Sequence, residues 1–342
     1  MEKVIIAVDA MGGDHGPAAA VGGVLMALEA DPGISKIIIV GREDEIRAAL
    51  SGQKYDAGRL GVVDAPEVIG VEEAPTVAIK QKKNSSMVVG LNLVKTGQAA
   101  AFVSSGSTGA LLTGATTIIG RIRGIKRPAL GIVLPNTNGH AILVDCGANL
   151  DAKPEYLVQF AQMGSIYMEC LMDVKRPRVG LINVGAEREK GNALTKEAYG
   201  LLEAETANIN FIGNLEARDM PLGAVDVAVC DAFVGNIVLK YTEGFAKGMM
   251  SMIKAELMAD GLSKFGALLS KRAYGRLRKR FDYTEVGGAP FLGLKGLVVK
   301  AHGSSNPKAF MSAIKQCTKF IKADVVGRIS DEISKEEENN GI

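Results

Sequence analysis

The 342 residues carry 40 Lys and Arg against 38 Asp and Glu, a net charge of +2, which excludes a general polyanion binder and makes any basic function local. With 47% hydrophobic residues and a mean hydropathy of +0.15, the chain has apolar material for a large core in roughly one to three domains, which excludes a disordered chain. The 41 glycines exceed the average of about 7% and imply tight turns or close approaches of backbone to a ligand.

The chain opens MEKVIIAVDAMGGD, an apolar run that stops at Asp9 and is too short and too acidic for a signal peptide. No stretch approaches the roughly 18 uninterrupted apolar residues of a membrane span, so a soluble cytoplasmic protein is expected. Short Val/Ile-rich runs follow at residues 4–8, 36–40, 99–104, 141–145, 178–184, 209–213 and 225–231, with helical patterns between them. Such runs read as strands buried on both faces, and their alternation with helices predicts an α/β fold: three α/β/α layers around a mostly parallel sheet. Residues 236–281 break the alternation and predict a projecting helical hairpin joined near Asp260 and Gly261. The polar end of the chain, residues 331–342, is expected to fray. Cys146, Cys170, Cys230 and Cys317 are widely spaced with no CxxC, so reduced buried thiols are expected, with no metal site and no cofactor.

In such sheets ligands bind beyond the carboxyl ends of the strands, and the loops there are rich in ligand-type residues. DAMGGDHGP (residues 9–17) offers Gly12, Gly13, Asp14 and His15, and SSGSTG (104–109) offers Ser104, Ser107, Thr108 and Gly109. Glycines that admit close backbone approach, hydroxyls and a following helix start make an anion-binding chemistry. For SSGSTG a Ser-capped helix after an ordinary turn is an equal alternative, and for His15 a structural role is the commoner one. DCGANLDAK (145–153) supplies Asn149, Asp151 and Lys153, with Asp151 a candidate N-cap for a helix near Pro154. Lys190 in NVGAEREKG and Asp231 in CDAFVGN are weighed most heavily, because a lysine there can neutralise a phosphate or a developing oxyanion. His302 and Ser304 lie in a polar string before a final helix.

The hairpin's first helix carries Phe245, Met249, Ile253 and Leu257 at i+4 spacing, which predicts a packing stripe. Between Gly261 and Phe281 there are seven basic residues (Lys264, Lys271, Arg272, Arg276, Arg278, Lys279 and Arg280) and no acidic one, with Leu262, Phe265, Leu268 and Leu269 near the tip. An apolar tip beside a basic face suits an anionic membrane surface or an acidic protein partner; a dimer interface is the alternative. Aromatic residues are too sparse there for nucleic acid.

Taken in order, DAMGGDHGP, SSGSTGALL, VDCGANLDAKPEYLVQFA, NVGAEREKGN, CDAFVGN and KAHGSSN closely resemble the phosphate acyltransferase family of bacterial phospholipid synthesis, the PlsX type, over essentially the whole chain. The resemblance implies a fold like the isocitrate and isopropylmalate dehydrogenases and phosphotransacetylase, one α/β/α unit of two lobes around a cleft, assembled as a homodimer. It implies conversion of acyl-[acyl carrier protein] and inorganic phosphate to acyl-phosphate and free carrier protein, with peripheral attachment to the inner face of the cell membrane through the hairpin. It places the chemistry on Lys190, Asp231 and Asn236. Ser105, Ser107, Ala186, Ala232 and Val234 depart from the family pattern without removing a charged group. Direct attack of phosphate on the thioester is the expected route, with an acyl-cysteine on Cys146 or Cys230 as its rival. A phosphotransacetylase for short acyl-coenzyme A and a non-catalytic membrane adaptor are the alternative functions.

Overall fold

The computed structural model describes residues 4–205, 208–280 and 287–339, without the side chains of 278–280 and 336–339. Its strands are β1 (Val4–Asp9), β2 (Ile34–Gly41), β3 (Leu60–Asp64), β4 (Ala101–Ser104), β5 (Ala129–Asn136), β6 (Gly139–Val144), β7 (Arg178–Asn183), β8 (Asn210–Glu216), β9 (Val227–Val229), β10 (Ala289–Leu292) and β11 (Leu297–Lys300). Among the described residues they form one sheet in the order β3-β2-β1-β4-β11-β10-β5-β6-β9-β7-β8. The first five run parallel to one another, as do the last four. The pairs β11/β10, β10/β5 and β5/β6 are antiparallel, and these three reversals leave the two parallel blocks pointing in opposite directions. Both blocks are halves of the same sheet.

Apolar residues alternate across the strands because both faces are covered. Val4, Ile6 and Val8 of β1 face a layer that includes Val24, Ala27, Phe310 and Ile314, whereas Ala7 and Phe102 face Met87, Leu91 and Leu111. The helices carry conventional start signals. Pro17, Pro154 and Pro307 sit in the first turns of Gly16–Ala30, Pro154–Met172 and Pro307–Lys322, where a missing N–H costs nothing. Asn192, Asp231 and Asn306 cap Ala193–Ala204, Ala232–Leu257 and Pro307–Lys322.

The α/β architecture and mostly parallel sheet agree with the pattern read from the sequence, and four strands depart from it. β3, β5, β10 and β11 were absent from the seven runs. β10 (APFL) and β11 (LVVK) are four residues each, too short to carry periodicity, and Pro290 and Pro135 argue against strand in β10 and β5. Residue 153, not Asp151, is the N-cap of Pro154–Met172. The last helix, Val325–Asn339, runs through most of the segment expected to fray, because Val325, Ile329 and Ile333 are buried on the core; residues 340–342 lie outside the described residues.

The hairpin is present, but its first arm is the helix Ala232–Leu257, so Asn236 lies inside a helix instead of before one. The second arm is Gly261–Arg280, opened by Asp260, which accepts the Ser263 N–H at 2.9 Å and the Ser263 hydroxyl at 2.7 Å. The expected end at Phe281 lies outside the described residues. The predicted packing stripe differs: Phe245 and Met249 are exposed, while Ile253 and Leu257 are half-buried. Beyond Leu239 no residue of the first arm is buried.

Candidate active site

At the carboxyl end of the first block, β1 and β4 lie side by side and their loops interlock. The buried Asp9 carboxylate accepts the Met11 N–H at 2.9 Å and the Ser104 hydroxyl at 2.7 Å. Ser104 Oγ in turn accepts the Gly106 N–H at 3.1 Å, and the Ser105 hydroxyl donates to the Gly12 carbonyl at 2.8 Å. A Cβ on Gly12 would stand 2.5 Å from the Gly106 nitrogen, so only glycine admits this approach. Gly13 adopts φ +82°, the left-handed region, and the next residue, Asp14, donates its N–H to the Gly303 carbonyl at 2.8 Å.

At the carboxyl end of the second block, the buried Asp145 organises the loop after β6. One oxygen accepts the N–H groups of Leu130, Gly147 and Ala148, and the other accepts both the N–H and the side-chain amide of Asn149. Burial pushes this carboxyl up from the ordinary carboxylate range, against the five donors that favour its charged form. Asn149 then accepts the Ala232 N–H at 2.9 Å through its carbonyl, tying the loop to the start of the hairpin. Gly235 presses on the same loop: a Cβ there would sit 1.9 Å from the Asp145 carbonyl oxygen.

A cavity of about 760 Å³ joins the two loop sets. Thr108, His302 and Gly303 reach it from the first, Cys146, Gly147 and Asn236 from the second. Leu130, Ile132, Leu134, Leu239 and Met250 supply an apolar wall. Lys240, Lys247, Lys300 and Lys308 face Glu243 as the acidic member of the lining, which makes the cavity net basic. Lys300 ends β11; its ammonium donates to the Ser105 carbonyl at 3.3 Å and to the Ala301 carbonyl. Burial, and then the charge of Lys240, lower its pKa to about 8 against the pull of Asp9 and Asp14. Burial also lowers His302. Its Nδ1 accepts the Ser304 N–H at 3.2 Å, which leaves the proton of the neutral ring on Nε2.

A sequence profile described as fatty acid synthesis protein matches residues 4–328. A phosphate acyltransferase from Clostridium perfringens (strain SM101) is 53% identical over 335 residues, covering 98% of each chain. One from Clostridium botulinum (strain Loch Maree) is 49% identical over 337 residues, covering 98% of this chain and 100% of its own. The chain belongs to the phosphate acyltransferase family. It is accordingly an enzyme, a transferase of acyl groups. Among solved structures, a phosphotransacetylase from Streptococcus pyogenes aligns with a TM-score of 0.61 at 18% identity over 93% of this chain and 94% of its own. The EutD phosphotransacetylase from Staphylococcus aureus aligns at 0.57 and 16%, with the same coverages; at these identities the likeness is one of fold.

In this phosphate acyltransferase the residues singled out in sequence fall into three groups. Thr108, Asn236 and His302 line the cavity, with Ser304 beside His302 at 2.8 Å. A second group holds loops and helix starts in place outside the lining. Ser104 is spent on Asp9, Ser107 caps a helix by accepting the Ala110 N–H, and Asn149 is spent on Asp145. Gly12 and Gly13 permit the loop contacts, and Gly109 packs near Pro75. Asp231 caps the hairpin's first arm, accepting the Val234 N–H at 2.9 Å. The third group is exposed outside the cavity lining: Asp14, His15, Asp151, Lys153 and Lys190. The side-chain amide of Asn236 donates to the Cys146 carbonyl at 3.2 Å.

Five charged cavity groups escaped sequence reasoning: Lys300, Lys308, Lys247, and the Lys240 and Glu243 pair, 3.2 Å apart. Lys300 stands in the quoted string KAHGSSN, and recognising LVVK as a strand would have placed it at a carboxyl end. At the hairpin tip Leu262, Phe265, Leu268 and Leu269 are exposed, and Lys271, Arg272 and Arg276 are exposed alongside. No described helix is long and apolar enough to cross a membrane.

Proposed function

We propose that this enzyme transfers the acyl group of acyl-[acyl carrier protein] to inorganic phosphate, an early step of phospholipid synthesis. The observation that carries the proposal is the cavity: one apolar wall, a net basic lining and openings toward both strand-end loop sets suit an acyl chain meeting an anion. Phosphate oxygen attacks the thioester carbonyl, the carbon–oxygen bond forms and the carbon–sulfur bond breaks. The proton of hydrogen phosphate ends on the carrier's thiol. Asn236, from within the cavity, is suited to hold the substrate oxygen; the family resemblance adds Lys190 and Asp231, which lie outside the cavity lining.

An acyl-cysteine route is disfavoured. Cys146 and Cys230 are buried, their thiols donate to the Leu130 and Asp145 carbonyls, and burial pushes both well above the ordinary thiol range. The thiolate that such a route requires is therefore scarce.

The exposed tip and basic face of the hairpin support contact with an anionic membrane surface on the cytoplasmic side, or with the acidic carrier protein. The apolar stripe Phe233, Ile237, Tyr241, Phe245 and Met249, exposed along its first arm, supports a homodimer. Incubating the enzyme and phosphate with palmitoyl-carrier protein or with acetyl-coenzyme A, and following acyl-phosphate, tests the donor. Product only from acetyl-coenzyme A would replace this proposal with a phosphotransacetylase, and no product from either would overturn it in favour of another acyl donor.

A further inference from the structure

We infer that Lys300 is the cation that holds inorganic phosphate in the cavity, an assignment that rests on the acyl-transfer proposal above. An ammonium has three N–H groups. The carbonyls of Ser105 and Ala301 take two, fixing the Nζ at the mouth of the first loop set and leaving one donor for a ligand in the cavity that Lys300 lines. Among the described residues no carboxylate lies within ion-pair distance of it: Asp9 is occupied by Met11 and Ser104, and Asp14 acts on Lys300 through space.

A half-buried lysine near another lysine, held by neutral carbonyls and without a counter-ion, is an unfavourable arrangement that an arriving dianion would complete. The other cations of the cavity are placed differently. Lys240 is committed to Glu243, and Lys247 and Lys308 are carried by helices at its rim. Lys300 alone ends a central strand of the sheet, where backbone fixes its position.

The charge that Lys300 offers depends on pH, since its pKa is lowered to about 8. The groups facing it are Asp9 and Asp14 from the first strand and its loop, Lys240, Glu243 and Lys247 from the hairpin arm, His302 beyond β11 and Lys308 from the final helix pair. Protonated Lys300 binds phosphate, and the neutral form, populated above pH 8, does not.

The test compares the enzyme with Lys300→Met and Lys300→Arg by steady-state kinetics, varying phosphate and acyl-carrier protein separately between pH 6.5 and 9.5. For Lys300→Met the expected result is a phosphate KM raised on the order of tenfold or more at pH 7, the loss of one charge-assisted contact, with the KM for acyl-carrier protein little changed. Lys300→Arg should recover much of the loss and hold its phosphate KM to higher pH. In the unmodified enzyme the phosphate KM should climb above pH 8 more steeply than in Lys300→Met. If the unmodified enzyme turns over and Lys300→Met keeps its phosphate KM within about twofold, the Lys300 assignment is overturned while acyl transfer stands. A parallel rise of both KM values would also overturn it, since that is the mark of a structural prop. If the unmodified enzyme makes no acyl-phosphate from either donor, the acyl-transfer proposal itself fails. A thermal shift by inorganic phosphate that Lys300→Met abolishes gives a readout independent of turnover.

Discussion

Asp145, fully buried behind Cys146 and Gly147, and Lys300, half-buried in the cavity lining, are both charged groups set into the same region, and they are treated in opposite ways. Asp145 receives five N–H groups from its own loop, the Asn149 amide and the neighbouring Leu130, so nothing of it is left for a ligand. Lys300 receives two neutral carbonyls and the repulsion of Lys240. A fully satisfied charge specifies a local structure, whereas an under-satisfied one is retained at a cost in stability that a binding role explains.

Removing each charge should therefore move stability in opposite directions. Asp145→Ala strands several buried donors at once, and a loss of about 4 kcal/mol or more in denaturant unfolding is expected. A loss below about 1 kcal/mol would mean that water replaces the carboxylate easily and would erase the contrast.

Lys300→Met should stabilise the enzyme at pH 7. A shift from 10.5 to about 8 corresponds to roughly 3 kcal/mol of disfavoured charge, and the two carbonyls that lose a donor take back about 1–2 kcal/mol. Below pH 8 the lysine is charged in both the folded and the unfolded chain, so the full penalty applies. Between about 8 and 10.5 the folded chain has shed a proton that the unfolded chain still holds, so the unmodified enzyme gains stability with pH and the advantage of Lys300→Met fades. Chemical unfolding at pH 7 and pH 10 checks the sign; a variant less stable at pH 7 would make Lys300 a structural lysine.

Gly235→Ala sharpens the comparison from the backbone side. Its Cβ would meet the Asp145 carbonyl at 1.9 Å, and a helix start and an organised loop must separate by an ångström or more to admit it. A cost of about 1–3 kcal/mol is expected, and because Asn236 follows directly, turnover should fall by more than stability does. Equal turnover with lowered stability would separate Asn236 from the chemistry.

The asymmetry between the two charges also explains what was legible in the sequence. The Ser107 cap was legible as an alternative because it is local, whereas Asn149 and Asp231 read as ligand and catalytic residues although the fold spends them on Asp145 and on a helix cap. Apolar runs likewise recovered the strands other than β3, β5, β10 and β11. What escaped is assembled over distance. Lys300 meets Ser105 across 195 residues, on a four-residue strand bounded by a Pro-containing partner. Lys240 and Glu243 reach the cavity only because the hairpin's first arm starts at Ala232, a boundary set by the Asp231 cap. The Ser104 and Ser105 hydroxyls looked available for an anion because their partners, Asp9 and Gly12, are more than ninety residues away.

The smallest stability effect should come from the hairpin tip, where the logic of the body is inverted. Leu268 and Leu269 are 66% and 72% exposed, so changing both to Glu removes no buried contact and should alter unfolding by no more than about 0.5 kcal/mol. The same change places two negative charges among Lys264, Lys271 and Arg272, where it opposes both apolar insertion and attraction to anionic lipid. Flotation with vesicles of phosphatidylglycerol should be lost, and turnover of acyl-carrier protein in free solution retained. Retained flotation would assign these leucines to another partner. Loss of soluble turnover together with intact stability would make that partner the carrier protein, and the basic face would then serve substrate delivery instead of membrane attachment.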